Sequence, residues 1–212
     1  GECAGAVTFL EPGRDLPAPA GDGDVLWLSD QEVVEVLDQL PHRPMLAGQD
    51  GLRLSLAGAQ DKCPIFVKDN QYYIPKAAAA STHIIKFEVP DYRHIPAYEY
   101  FLAQLAKSID LPVVNCELKK HNEYYYLLIE RYDRYESNDN HIIRLHQEDV
   151  CQALGFGYQR KYQQDGGPSF QTCFDLVQQK SSNAIVDTEN LLKWQIFNLL
   201  ARLVASTARA SE

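Results

Sequence analysis

The chain has 212 residues, 45% of them hydrophobic and 23% charged, which is typical of a folded globular protein and excludes extended disorder. The formal net charge of −9, with only 20 Lys and Arg residues, argues against a broad nucleic-acid-binding face. No apolar run has the length of a membrane-spanning helix, and the first residues lack the pattern of a signal peptide, so we expect no membrane association. Because the chain does not begin with Met, we expect that it starts within a longer protein.

The cysteines and histidines indicate neither a metal site nor a disulfide framework. None of the five cysteines lies in a CxxC pair; they are Cys3, Cys63, Cys116, Cys151 and Cys173. The six histidines include no HExxH pair. We therefore assign no metal ligand among these residues, and we expect reduced, buried thiols in the cytoplasm.

The first 50 residues predict a short strand, a loop and a helix. Residues 5–10 are apolar enough for a strand, and the Pro-, Gly- and Asp-rich tract 11–24 is typical of a loop. Ser29 and Glu32 have the spacing of a capping box. The apolar residues that follow recur at helical spacing and stop before the prolines of 41–44; they are Val33, Val34, Leu37 and Leu40.

The middle of the chain predicts a β-rich region that contains one helix. Strands are expected over 53–56, 63–68, 71–75, 82–89, 112–120 and 123–132, with turns at Asp69-Asn70 and His121-Asn122. Residues 97–109 carry apolar side chains at helical spacing, and Pro96 suits the first turn of that helix.

After the polar tract 133–140 the chain is predicted to be helical. Helices are expected over 146–155 and 166–180, with Gly155 past the end of the first and Pro168 at the start of the second. Asp187 is expected to cap the last helix, and residues 205–212 look unstructured.

The stretch LSLAGAQDK, residues 54–62, has two interpretations. Ala57, Gly58 and Ala59 allow close approach of a phosphate to the backbone, and Gln60 and Lys62 would add side-chain donors. The Walker A spacing is absent, so an ordinary connection between two strands is the alternative.

Lys86 and Glu99 are the charged residues that follow this loop in a strand and a helix. Lys86 interrupts the apolar run Ile84–Phe87, where an ammonium is costly unless it is paired. The functional interpretation is a phosphate-binding lysine held by Glu99. The commoner alternatives are a lysine on the solvent face of a strand and a solvated helix charge.

A strand lysine, a helix glutamate and a polar strand end, in this order, are the elements of a protein-kinase nucleotide lobe. In that interpretation residues 127–134 form the hinge: backbone groups from Glu130 to Tyr132 face the adenine, and Asp133 accepts from a ribose hydroxyl. The alternative is an edge strand that ends in a solvated turn.

Five motifs together resemble the HipA-like serine/threonine kinases, which are toxins of bacterial toxin–antitoxin systems. The motifs are SLAGAQDK, STHIIKFE, LLIERYDR, RLHQEDVCQALG and RKYQQDGGPSF, and the resemblance extends from about residue 52 to residue 200. It implies an α+β, protein-kinase-like fold. Residues 1–50 would end an N-terminal subdomain, 51–134 would form the nucleotide lobe, and 135–212 would form part of a helical lobe.

The resemblance also implies the site residues, cofactors and partners. Lys86 and residues 130–132 would bind ATP with Mg²⁺, and Ser55 would be autophosphorylated, which inactivates the kinase because a phosphate adds negative charge beside the ATP loop. That loop comprises Ala57, Gly58, Ala59, Gln60, Asp61 and Lys62; the hinge comprises Glu130, Arg131, Tyr132 and Asp133. The implied partners are an aminoacyl-tRNA synthetase as substrate and a HipB-type antitoxin, through which alone DNA would be contacted.

One departure from the family pattern limits the expected activity. In the family a helix with FNLL precedes an Asp-x-His motif that supplies the catalytic base, and a later Asp binds Mg²⁺. Here no Asp follows Asp187, so we expect a truncated chain without catalytic base or metal ligands. Trp194, Phe197 and Leu200 would then be partly uncovered, and we would expect self-association as a dimer or poor solubility.

Three functions therefore remain open from the sequence. The chain is a HipA-like kinase that phosphorylates a protein, or an inactive fragment that binds only nucleotide or antitoxin. A structural domain without any ligand is the third alternative.

Overall fold

A computed structural model describes residues 12–13, 25–27, 62–75, 79–88, 94–121, 124–138 and 141–210. The strands are β1 Val25–Trp27, β2 Lys62–Lys68, β3 Gln71–Pro75, β4 His83–Phe87, β5 Cys116–His121, β6 Tyr124–Glu130, β7 Arg134–Glu136 and β8 Ile142–Arg144. The α-helices are α1 Ile95–Ser108, α2 Val150–Ala153, α3 Phe170–Lys180 and α4 Ala184–Ala210, with 3-10 turns at Tyr158–Arg160 and Gln163–Asp165. None of the described helices is both long and apolar enough to span a membrane.

The chain divides into two compact units. The first comprises Gly1–Ala103 and Val114–Gln147, and the second comprises Gln104–Val113 and Glu148–Glu212. The division falls within α1 and again after β8, whereas the sequence places the subdomain boundary at residues 134/135, which stays a prediction.

A six-stranded antiparallel sheet forms the first unit, in the order β1-β3-β2-β4-β6-β5. Strands β2 and β3 are joined by Asp69 and Asn70, whose φ angles of 51° and 60° both lie in the left-handed region. Two such residues are the requirement of a type I′ turn, whose twist matches that of the strands. The predicted strands 63–68 and 71–75 and the turn between them are confirmed.

The core of the first unit lies on one face of the three central strands β2, β4 and β6. Side chains alternate between the two faces of a strand, so every second residue enters the core. The core residues are Cys63, Ile65, Ile85, Phe87, Tyr126 and Leu128, all at most 8% exposed. Burial raises the pKa of the Cys63 thiol to about 12, so this cysteine is an inert core residue, as the sequence suggested. Cys116, Cys151 and Cys173 were also expected to be buried but are only partly so.

Helix α1 begins at Ile95, and Pro96 is fully buried in its first turn, where a missing N–H is tolerated. The predicted helix 97–109 is thereby confirmed to within two residues. The apolar residues of this helix are not all buried. Phe101 and Ile109 are 63% and 53% exposed, whereas the small Ala106 is only 4% exposed.

Strands β7 and β8 form a two-stranded antiparallel hairpin. Strand β7 lies in the polar tract 133–140, where no strand was predicted, and the helical character expected after that tract is wrong for β8. The tract looked like a loop because its charged and amide residues rarely form strands. Here Arg134 is 9% exposed and belongs to a buried ion-pair network described below.

In the second unit the helix starts are set by capping side chains. Asp149 and Gln152 form a capping box at α2, and Ser169 Oγ accepts the Thr172 N–H at the start of α3. Gly155 follows α2 with a φ of 70°, as predicted. Pro168, predicted to open α3, instead precedes the capping residue.

Helix α4 differs from the prediction at both ends. It begins at Ala184, so Asp187 lies inside the first turn and is not the cap; its carboxylate accepts from Ser181 Oγ. The helix continues to Ala210, so residues 205–210 are helical and the expected unstructured end is wrong for them. Trp194 and Leu200 are 54% and 57% exposed, as expected, and Phe197 is half-buried.

The predictions for residues 5–10, 29–40 and 53–56 lie outside the described residues, as does the loop over 11–24 except for a turn at Pro12-Gly13.

Candidate functional site

Lys86 and Glu99 form an ion pair in the first unit. Lys86 Nζ donates to Glu99 Oε2 over 2.7 Å, a charge-assisted hydrogen bond, and the side chains are 27% and 32% exposed. Strand alternation places Lys86 there, because Ile85 and Phe87 on either side enter the core and Lys86 must leave by the opposite face. Glu99 reaches the same point from the second turn of α1.

Lys62 lies directly opposite Lys86 in the antiparallel register of β2 and β4. Residues paired in this way lie about 5 Å apart between their Cα atoms and project on the same face. The last residue of the predicted phosphate loop therefore enters the sheet beside the predicted phosphate-binding lysine. The other predicted loop residues lie outside the described part of the chain; they are Ser55, Ala57, Gly58, Ala59, Gln60 and Asp61.

The predicted hinge begins on the strand next to Lys86. In the register of β4 and β6, Lys86 pairs with Leu127 and His83 pairs with Glu130. The hinge thus starts three residues along β4 from Lys86, about 10 Å at the rise of an extended strand. Lys86 and the hinge lie on neighbouring strands of one rigid ladder, so their separation is fixed by the sheet.

Two backbone donors of the predicted hinge are already used within the protein. The Glu130 N–H donates to the Asn115 carbonyl and the Arg131 N–H donates to the Thr82 carbonyl, each over 2.9 Å. The Glu130 carboxylate accepts from Asn115 Nδ2 over 2.8 Å. The N–H groups of Glu130 and Arg131 could therefore reach a base only by giving up these bonds.

Ser81, Arg131, Asp133 and Arg134 form a buried set of polar side chains that we call the hinge network. Arg131 Nε and Nη2 donate to Asp133 Oδ1 and Oδ2 over 3.0 and 2.9 Å, and Arg134 Nη1 donates to Asp133 Oδ2 over 2.8 Å. Arg131 Nη1 also donates to Ser81 Oγ over 3.0 Å. The exposures of Ser81, Arg131 and Asp133 are only 0%, 5% and 3%.

This burial bears on two predicted binding residues. Both oxygens of Asp133 accept from arginines and its side chain is only 4% exposed, so the geometry does not favour Asp133 as a ribose acceptor. The Arg131 side chain is likewise engaged, which leaves only its backbone for a nucleotide. Tyr132 is 69% exposed, and its hydroxyl donates to Gln147 Oε1.

Sequence reasoning missed His83, which is the residue paired with Glu130. Burial lowers the pKa of its imidazole. Thr82 Oγ1 accepts the Val67 N–H over 2.9 Å and lies 2.9 Å from His83 Nδ1, so its own proton is available to a neutral imidazole. A histidine between a hydroxyl residue and an apolar run, in Thr82-His83-Ile84, was the signal available in the sequence.

Within the described ranges, no group of three or more His, Cys, Asp or Glu side chains is placed to hold a metal ion. We assign no metal ligand among the described residues, and no chemical step is assigned to a metal.

The comparisons with known proteins agree on one family. The family described as HipA-like C-terminal domain matches residues 54–203. The chain is 42% identical over 203 residues to the protein named "Putative kinase Y4mE" of Sinorhizobium fredii, with 94% of this chain and 48% of that protein covered. It is 30% identical over 211 residues to the serine/threonine-protein kinase toxin HipA of Shewanella oneidensis, with 94% of this chain and 47% of that protein covered.

A solved structure shows the same likeness. The chain in a Shewanella oneidensis complex of HipA, HipB and operator DNA superposes with a TM-score of 0.73 at 30% identity, over 93% of this chain and 47% of that one. The predicted α+β, kinase-like fold class is thereby confirmed. The chain spans about half the length of the curated relatives it matches.

Proposed function

Because the chain belongs to the HipA-like C-terminal domain family, we propose that its first unit binds ATP for a HipA-like serine/threonine kinase. The observation that carries this proposal is the Lys86–Glu99 ion pair, 2.7 Å long, on the strand that lies between β2 and the hinge strand. Relatives named as kinases support the reaction class, which is transfer of the ATP γ-phosphoryl group to a protein hydroxyl.

In this proposal Lys86 binds the phosphates and Glu99 holds its ammonium in place. An ammonium group has three donors, so Lys86 bonded to Glu99 retains others for phosphate oxygens. Lys62, on the same face, adds a second cation at the end of the loop. The backbone of Ala57, Gly58 and Ala59, with Gln60 and Asp61, would complete the phosphate site.

The adenine would lie against the hinge at Glu130, Arg131 and Tyr132. Because the Glu130 and Arg131 N–H groups are used internally, we assign the base contacts to backbone carbonyls and the Tyr132 N–H. ATP, when bound with a divalent cation, supplies the transferable phosphoryl group. The described residues bind and orient ATP. We assign none of them as the base that would accept the proton of a substrate hydroxyl.

The antitoxin partner that we propose is that of the solved relative. The solved relative is a complex with HipB and operator DNA, and we propose a HipB-type antitoxin as the partner of this chain, with DNA contacted only through it. We propose an aminoacyl-tRNA synthetase as protein substrate and Ser55 as the autophosphorylation site.

Direct titration of ATP tests the binding proposal. We expect Lys86→Ala to weaken binding by about 10- to 100-fold, the equivalent of one lost hydrogen bond to a charged group. Lys68→Ala is the matched control, because Lys68 is an exposed lysine at the far end of β2. Equal ATP affinity in Lys86→Ala and wild type would refute the phosphate-binding role.

A second experiment separates transfer from binding. The chain is incubated with γ-labelled ATP and Mg²⁺, and labelled protein is compared between wild type and Ser55→Ala. Label that disappears in the variant supports autophosphorylation on Ser55. Tight ATP binding without label would instead favour a nucleotide-binding module that transfers no phosphate.

A further inference from the structure

The hinge network is unlike an ordinary surface ion pair in its burial and connectivity. The side chains of Asp133, Arg131 and Arg134 are 4%, 3% and 2% exposed, and one carboxylate serves two guanidinium groups. Burying ions costs free energy that their attraction only partly returns, so an apolar cluster of similar volume is often as stable. A network of this kind is therefore better explained by the geometry that it fixes than by stability.

The geometry that it fixes is that of the hinge backbone. On one side Arg131 is joined to the residues before β4 by its side chain, through Ser81, and by its N–H, through the Thr82 carbonyl. On the other side the Asp133 carbonyl accepts the Leu145 N–H, just after β8. The turn at residues 131–133 is held from both sides, and the bidentate Arg131–Asp133 pair spans it.

Lys86 is independent of this arrangement. It lies three residues along β4 from His83, the partner of Glu130, which is about 10 Å at the rise of an extended strand, and its own partner Glu99 comes from α1. A change in the hinge network should therefore alter contacts to the base while it leaves contacts to the phosphates intact.

We propose that Arg131, paired with Asp133, is a positioning residue that sets the preference of this site for adenine over a pyrimidine base. The inference rests on the proposed nucleotide binding. The role belongs to the Arg131 guanidinium, which positions the hinge backbone, and is separate from any contact that the Arg131 backbone makes with the base. The pair holds the hinge carbonyls and the Tyr132 N–H at the spacing of one base edge, so the wrong base leaves polar groups unpaired.

The test compares ATP and CTP, each titrated directly into the full chain, in wild type, Arg131→Met, Arg131→Lys and Lys86→Ala. Arg131→Met leaves Asp133 paired with Arg134, so it avoids an isolated buried charge. We expect wild type to prefer ATP by about 10-fold or more, and Arg131→Met to lower that ratio to near one. Arg131→Lys should restore part of the ratio, because lysine keeps the charge but not the bidentate geometry.

The ratio of the two affinities distinguishes positioning from simple destabilisation. Partial unfolding would weaken both nucleotides by the same factor and leave the ratio unchanged, and Lys86→Ala should do likewise through the phosphates. An Arg131→Met ratio equal to that of wild type overturns the positioning role while nucleotide binding stands. Failure of wild type to bind either nucleotide overturns the proposed function, and this inference with it.

Discussion

Replacement of Glu99 by Gln tests whether the ion pair prepares Lys86 for phosphate or merely neutralises it. The change removes the negative charge but keeps the side-chain length and an acceptor oxygen. Both partners are about 30% exposed, so solvent screens the pair, and we expect the free energy of unfolding to fall by no more than about 1 kcal/mol. The effect on ATP affinity is the difference of two opposing terms.

The first term is the freedom of the lysine. A lysine side chain carries about 2 kcal/mol of rotamer entropy, and Glu99 restricts much of it before ATP arrives. The second term is repulsion between the Glu99 carboxylate and phosphate. With the lysine between them the charges would be about 5.5 Å apart, which in water amounts to roughly 0.8 kcal/mol. The entropic term is larger by about 1 kcal/mol, so Glu99→Gln should bind ATP about fivefold more weakly.

Isothermal titration of ATP, with thermal melting to confirm folding, measures both quantities. Glu117→Gln is the control, because Glu117 is 69% exposed on the edge strand β5 and paired only with Lys119 among the ion pairs of the described residues. If Glu99→Gln binds ATP as tightly as wild type or more tightly while Lys86→Ala binds weakly, the idea that Glu99 preorganises the lysine is wrong.

Three further predictions concern stability. Because the pKa of His83 is lowered in the folded chain, the unfolded chain takes up a proton first as the pH falls, and stability present above about pH 6.5 should be lost on acidification. In His83→Gln the melting temperature should therefore depend less on pH. An unchanged slope of melting temperature against pH would contradict this. Asn70→Gly should raise the free energy of unfolding by about 0.5–1 kcal/mol in urea titrations, because φ is 60° there; a loss of stability would count against the type I′ turn. Gly167→Ala should cost about 1–3 kcal/mol, since its Cβ would lie 2.3 Å from the Arg160 carbonyl oxygen; Gly157→Ala, which meets only the flexible end of Gln159, is the control, and equal melting temperatures would refute the clash.

The local elements of the first unit were predictable because their signals are local. Asp69 and Asn70 tolerate left-handed φ, so the β2–β3 turn was evident from two residues. Pro96 and the spacing of apolar residues likewise gave α1 to within two residues. The extent of α4 was missed, because Ala and Arg near residue 210 favour a helix even where no apolar stripe continues.

The pairings that build the site could not be predicted, because they join residues far apart in the chain. Nothing in the sequence indicates that Lys62 lies opposite Lys86, since register depends on which strands become neighbours. Arg131, Asp133 and Arg134 looked like a solvated run of alternating charges. In the folded chain they are buried, and Arg131 bonds to Ser81, fifty residues earlier and just before β4.

The position of β4 within the sheet also restricts which insertions and deletions the sequence can tolerate during evolution. Because β4 pairs with β2 on one side and β6 on the other, a single inserted or deleted residue between His83 and Phe87 would shift both ladders. Such a shift exchanges the two faces of the strand, which would send Lys86 into the core and bring Ile85 or Phe87 out. The segment Pro112 to Val114 has no regular structure and pairs with no strand, so no ladder register restricts its length. We expect natural length variation among relatives to collect in segments of that second kind and to be absent from the five residues around Lys86.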